Sequence, residues 1–333
     1  MIRRLALTLV VLLLALAGAA RADEPLKLRM GWVVTPPELL PVIFAQPGVA
    51  VHLGKSYTYE AGHFQGTPPM ITALAAGQLD IVPFTYPTFA TAIQNADMGD
   101  LRIIADEFQD GAPGYFTEPF MVLKASNIAK VEDLKGKVLA TNLVGSGVDI
   151  AMRAMLKKHG LGPNDYTVVE VAFPNMKSVL LAGKVDLITA SIVTAYDPEL
   201  NEKARPLFYA RDAVGRTQFS FLAARASFIK AHRAVLVDFL EDYLRAVRWY
   251  LDPKNHDAAV RSLADFTKLP PERFSSWIFS KKDQYRNPDG LPDLAALQRN
   301  LDTQKDIGYL KNRLEVVKYV DLSLVKEAAA RLK

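Results

Sequence analysis

Residues Thr67 to Val82 read TPPMITALAAGQLDIV, and residues Phe173 to Ile188 read FPNMKSVLLAGKVDLI. Aligned without gaps they share Pro, Met, Leu, Ala, Gly and Asp, in one register, at a constant offset of 106 residues. Proline suits the first turn of a helix, where its missing N–H is not needed, and glycine suits the left-handed residue that ends one. The apolar runs that follow, LDIV and VDLI, read as strands. Each copy is therefore a helix-to-strand unit, and its repetition predicts two halves of one design.

The segments around each copy support this reading. LKLRMGW, SYTYEA, LDIVPF and LRIIADE read as strands in the first half, with PPELLPVIFAQ starting a helix after the first of them. In the second half KVLATN, YTVVEVAF and KVDLITAS read as strands, and GSGVDIAMRAMLKKHGL as a helix. Strands that alternate with helices predict an α/β fold of two lobes, each a mostly parallel sheet flanked by helices. Two extended crossings should join the lobes, with EPFMVLK and QFSFLAAR as the candidates. The expected division is residues 23–116 with 222–333 in lobe 1 and 117–221 in lobe 2.

From Ser227 onward the pattern is helical. In RAVLVDFLEDYLRAVRWYLDP, Val235, Phe239, Leu240, Tyr243, Leu244, Val247 and Leu251 share one face, leaving Asp238, Glu241, Asp242, Arg245 and Arg248 for water, and Pro253 stops the helix. RFSSWIFSKKDQY, DLAALQRNLDTQKDIGYL and DLSLVKEAAARLK read as further helices.

A chain of 333 residues with 50% hydrophobic content has enough apolar material for two cores. Residues 1–22, MIRRLALTLVVLLLALAGAARA, combine two leading arginines, Arg3 and Arg4, an uncharged run and the small-x-small cleavage signal Ala20-Arg21-Ala22, which predicts a signal peptide removed on export. Loss of Arg3, Arg4 and Arg21 would take the 40 basic residues to 37 against 36 acidic ones, so the mature chain is nearly neutral. That charge balance, with no arginine-rich run interleaved with aromatics, argues against a nucleic-acid partner. The absence of cysteine excludes disulfides, thiolate nucleophiles, cysteine metal sites and a lipoprotein anchor, so a free periplasmic protein is the expected location.

Reaction chemistry leaves little trace. His52, His63, His159, His232 and His256 are scattered, none in metal-ligand spacing, and no nucleophile elbow, phosphate loop or dinucleotide fingerprint is present. No metal, cofactor or catalytic residue is expected. Gly145-Ser146-Gly147, between a strand and a helix, has two readings: a loop whose free amides bind an anion, or a cap in which Ser146 and Asp149 satisfy each other's amides. Parallel sheets bind ligands at the carboxyl ends of their strands. The candidates there are Trp32, Thr35, Gly66, Thr67, Thr85 and Tyr86 in the first lobe, and Asn142, Gly145, Ser146, Gly147, Phe173, Asn175, Ser191 and Tyr196 in the second.

GTPPMITALAAGQLDIV, VEDLKGKVLATNLVGSG and SVLLAGKVDLITAS together resemble the periplasmic substrate-binding proteins of ABC importers, of the nitrate/sulfonate/taurine type, whose fold is shared by pyrimidine-precursor binding proteins. The resemblance implies two lobes that close on a small solute and present it to a permease driven by a cytoplasmic ATPase, with the protein a monomer. It implies ligand loops at Trp32 to Thr35, Gly66-Thr67, Thr85-Tyr86 and Asn142 to Gly147. VVTPPELLP departs from the small, glycine-bearing turn of such proteins, which disfavours nitrate. With Tyr and Trp walls and no cation at the strand ends beyond Arg216, the expected ligand is an organic anion, aromatic or heterocyclic, or a sulfonate such as taurine. The alternatives are an enzyme of pyrimidine type on the same scaffold and a sensory ligand-binding protein.

Overall fold

The computed structural model describes residues 24–333, so the expected signal peptide lies outside the described residues. The ten strands are β1 (Leu26–Trp32), β2 (Tyr57–His63), β3 (Ile81–Thr85), β4 (Leu101–Asp110), β5 (Pro119–Leu123), β6 (Val138–Thr141), β7 (Thr167–Glu170), β8 (Leu187–Thr189), β9 (Ala204–Tyr209) and β10 (Thr217–Arg225). They form two five-stranded sheets, ordered β2-β1-β3-β10-β4 and β7-β6-β8-β5-β9. Four strands of each sheet run one way. The fourth in each order, β10 or β5, is antiparallel to both its neighbours. Helices cover the sheets, so the α/β fold with two mostly parallel sheets stands as expected.

The repeated phrase builds the same joint twice. The helix Pro68–Ala75 leads into β3 and the helix Met176–Leu181 into β8. Gly77 and Gly183 take φ of +66° and +65°. The amide two residues past each helix's capping alanine reaches back five residues, Gln78 to Ala73 at 2.8 Å and Lys184 to Val179 at 3.0 Å, which closes a Schellman turn. Met70, Leu74, Met176 and Leu180 are buried between helix and sheet. Asp80 and Asp186 face the neighbouring strand: the Asp80 carboxylate accepts from the Arg29 amide and the Asp186 carboxylate from the Val138 amide, both at 2.9 Å. The phrase is a joint, conserved in shape between the halves because both halves need it.

Two expectations about connections change. EPFMVLK and QFSFLAAR supply β5 and β10, the antiparallel strands inside the sheets, while the crossings are the segments 111–118 and 210–216 beside them. The return to lobe 1 expected at 222 falls inside β10, whose ladder with β3 and β4 holds Thr217 to Phe221 in the first sheet. An apolar run is equally suited to a buried strand or a crossing, and only long-range pairing separates the two.

The long C-terminal helix, Arg233–Leu251, buries the predicted residues Phe239, Leu240, Tyr243, Leu244 and Val247. Two of its acids do not face water. Asp242 is fully buried and accepts from the amides of Val51 and His52, both at 2.9 Å, and from the Tyr57 hydroxyl at 2.8 Å. Glu241 is buried beside Arg245 and His52. Val51 and His52 come from a loop about 190 positions away, which helical periodicity does not register. Leu294–Asp306 and Ser323–Arg331 are helices as expected, whereas RFSSWIFSKKDQY shrinks to the single turn Glu272–Ser275 followed by tight turns. PPELLPVIFAQ likewise keeps only Leu40–Ile43.

Candidate functional site

The carboxyl ends of the parallel strands in the two sheets meet across one cleft. Its walls come from Val33, Val34, Pro37 and Glu38 after β1, Gly66 and Thr67 after β2, and Thr85 at the end of β3. The second sheet adds Asn142, Ser146, Gly147 and Val148 after β6, Phe173 after β7 and Ser191 after β8. Phe108 of β4, Phe219 of β10 and Glu118 just before β5 close the back, where the two crossings pass. The cavity between the lobes is about 40 Å³, well below the size of an open small-molecule site, so the cleft is nearly closed.

Eight expected residues line this cleft: Gly66, Thr67, Thr85, Asn142, Ser146, Gly147, Phe173 and Ser191. Six do not. Trp32 packs on His63 and Phe266, with ring centroids 4.4 and 5.3 Å away. Thr35 is buried and donates to the Glu38 carbonyl at 3.2 Å, which shapes the turn after β1. Tyr86 lies behind the wall, its hydroxyl 3.3 Å from the Gly147 carbonyl. Gly145 serves the turn, with φ of +82°. Asn175 is exposed and its carbonyl accepts from Ser178. Tyr196 stacks on Trp277 and donates to the Lys282 carbonyl at 2.8 Å, so it ties the second sheet to the C-terminal segment. Arg216 is also elsewhere: it pairs with Gln109 and Asp293.

The lobes are in contact across the mouth. The Gln65 side chain donates to the Asn142 carbonyl at 3.0 Å, and the Asn142 side chain donates to the Gln65 carbonyl at 3.2 Å. Glycines allow the approach. A Cβ on Gly147 would stand 2.7 Å from the Phe219 ring, and one on Gly66 would stand 3.1 Å from the Leu143 Cβ. Within the first wall Thr67, Thr85 and Thr88 form a buried triangle of hydroxyls at 2.6, 3.0 and 3.1 Å.

The Gly145 to Gly147 loop follows the capping reading. Asp149 accepts from the Gly145 amide at 2.9 Å and from Arg153, while Ser146 accepts from the Asp149 amide and donates to the Asn142 side-chain oxygen at 2.7 Å. A carboxylate of the protein itself thus holds the place where an anion was expected.

The cleft's ionisable groups are acids. Glu38 and Glu118 are both buried, and the lining residues include no Lys, Arg or His. Glu38 accepts from the amides of Val33 and Val34. Burial, then the nearby Glu107 charge, pushes its carboxyl well above the ordinary range. The Glu118 amide donates to Asp110 at 2.8 Å, but the Oε2 of its side chain is buried and accepts no hydrogen bond among the described residues. Burial, reinforced by Asp110, raises the Glu118 carboxyl as well. Sequence reasoning passed over these two acids, although one signal was present: each stands beside a proline at an end of a strand, in TPPEL and TEPF. Among the described residues no cluster of three or more His, Asp or Glu is placed to hold a metal ion, and no helix is long and apolar enough to cross a membrane.

Two sheets of one topology with their strand ends facing a shared cleft define the two-lobed fold of periplasmic substrate-binding proteins, and comparison with solved structures agrees. The chain is similar to the alkanesulfonate-binding protein SsuA from Xanthomonas axonopodis pv. citri bound to MOPS, with 20% identity, TM-score 0.70 and coverage of 90% of this chain and 100% of that one. It is similar to the periplasmic nitrate-binding protein NrtA from Synechocystis PCC 6803, with 15% identity, TM-score 0.71 and coverage of 93% and 90%. The desulfurization enzyme DSZB shares the fold too, with 14% identity, TM-score 0.65 and coverage of 92% and 100%. Residues 114–256 match the family model described as NMT1/THI5 like. No curated protein matches the chain.

Proposed function

We propose that this protein is the extracytoplasmic solute-binding component of an ABC importer, which captures a small organic molecule between its two lobes and delivers it to a permease. The observation that carries the reading is the cleft itself: strand ends from both sheets, glycines where the lobes touch and a reciprocal Gln65 and Asn142 clasp at the mouth. Such a cleft suits a cycle in which ligand joins the lobes and release parts them. The reading includes export through the N-terminal signal, a periplasmic location and a monomer that meets transmembrane subunits and their ATPase through the lobe surfaces. Sulfonate, taurine and aromatic acids, the solutes expected from the sequence, are one arm of the test.

Thermal melting against a panel of small organic solutes tests it. A true ligand at a hundredfold excess over its Kd stabilises the fold by about 2.7 kcal/mol. If no small molecule shifts melting, the reading fails.

Likeness to DSZB supports a second reading, an enzyme on the same scaffold. With no cysteine in the chain, any such chemistry would rest on the buried acids Glu38 and Glu118. Chemical conversion of a bound solute, followed by product analysis after long incubation, would favour this reading over transport.

A further inference from the structure

The chemistry of the cleft narrows its solute, given the solute-binding reading on which this inference rests. Glu38 comes from the turn after β1 and Glu118 from the crossing into β5, so one carboxyl belongs to a lobe and the other to the hinge. Both are more than nine-tenths buried, and Glu118 carries an oxygen with no donor. A buried carboxyl without a partner destabilises the free fold, and a bound group that donates to it offsets that loss. An anion would find no Lys, Arg or His in the lining to answer its charge, and any ionisation of the two desolvated acids would repel it. The helix terminus of the second lobe offers no refuge, because Asp149 already occupies it. The remaining walls are apolar and partly flat: Phe108 and Phe219 stack with centroids 5.4 Å apart, and Phe173 faces them from the second lobe.

We infer that the ligand is a nitrogen-centred organic cation of amidinium or ammonium type with a flat apolar body, its N–H groups donating to Glu38 and Glu118 and its ring against the phenylalanines. This replaces the organic anion expected from the sequence. Closure of the lobes would then pair the cation with the lobe and the hinge together, so charge recognition and closure would be one event.

The full-length mature protein can be tested with solutes matched in shape and opposite in charge: benzamidine against benzoate, and phenethylamine against 3-phenylpropionate, by thermal shift and calorimetry. The cations are expected to bind and their matched anions to be silent. E118Q and E38Q should each weaken cation binding at least tenfold. E118Q should keep or raise the melting temperature of the free protein at pH 8, since an amide has no charge to desolvate; a lower melting temperature would mark Glu118 as a structural group and overturn its assignment. Binding of an anion in preference to its matched cation overturns the inference and leaves the solute-binding reading standing, as does cation binding that neither variant moves. Silence of both series counts against the solute-binding reading itself.

Discussion

Gln65 and Asn142 exchange two hydrogen bonds across the mouth of the cleft, each side-chain amide donating to the other residue's backbone carbonyl at 3.0 and 3.2 Å. One residue follows β2 and the other follows β6, so the pair exists only while the lobes are together. Its contribution belongs to the closed state alone, and by linkage to ligand affinity.

Asn142→Ala should therefore loosen the closed form by about 0.5–1.5 kcal/mol, since it removes the one bond its side chain donates across the mouth while its carbonyl still accepts from Gln65. Gln65→Ala should do the same by removing the other bond, and the double variant, which loses both, should be clearly worse than either single one. Calorimetric Kd values for the four proteins check this; a double variant no weaker than a single one would show that the two bonds form only as a unit.

Gly147→Ala should block closure, since the new Cβ would stand 2.7 Å from the Phe219 ring. A smaller closed population lowers apparent affinity in proportion, here on the order of tenfold or more. Small-angle scattering with saturating ligand should show a radius of gyration closer to that of the free protein. Phe219→Leu in the same chain should restore compaction by clearing the obstruction.

Asp80→Ala and Asp186→Ala should each destabilise the fold by about 1–3 kcal/mol, because each leaves a strand amide at a buried joint without its acceptor. Urea unfolding at neutral pH measures the loss. Asn at either position keeps an acceptor oxygen and should recover part of it, and Asp80 should respond more strongly because it is buried and also pairs with the Arg29 guanidinium at 2.6 Å, whereas Asp186 is partly exposed with Lys137 at 3.9 Å.

Glu107 should make stability depend on pH. It is buried, and burial pushes its carboxyl from the ordinary 4.5 up to about 8, with the Ser220 hydroxyl at 2.6 Å and the Arg286 charge opposing the rise and Asp106 adding to it. Glu38, Tyr59 and Tyr243 also feel its charge. The folded protein thus holds this proton more tightly than the unfolded chain. The resulting stability is complete below about 4.5 and is lost as pH rises towards 8. Glu107→Gln should flatten the decline in melting temperature across that window, and an unchanged slope would assign the dependence to other acids.

The strand and helix plan was legible because it is written in local pattern. β1 is the segment LKLRMGW as quoted, and the helix Gly147–Lys158 and the joints at Gly77 and Gly183 lie where proline, glycine and apolar spacing put them. The site was legible where it follows from topology, since strands in parallel carry their ligand loops at one end, and this located Gly66, Thr67, Thr85, Asn142, Ser146, Gly147, Phe173 and Ser191 on the cleft. Trp32 and Tyr196 were misjudged because an aromatic near a strand end turns outward or inward according to partners such as Phe266 and Trp277, which are far away in the chain.

The cleft's charge was out of reach for a related reason. Glu118 faces it because β5 runs antiparallel and so begins at the end where its neighbours finish, and Glu38 faces it because the turn after β1 folds back onto its own amides. Asp242, placed in water by helical period, is drawn inside by the loop at Val51 and His52. Short-range periodicity and turn chemistry act over a few residues and are fully encoded there. Burial and electrostatics depend on which distant groups arrive, and so the doubled phrase specifies two like lobes while the folded chain alone assigns the acids between them.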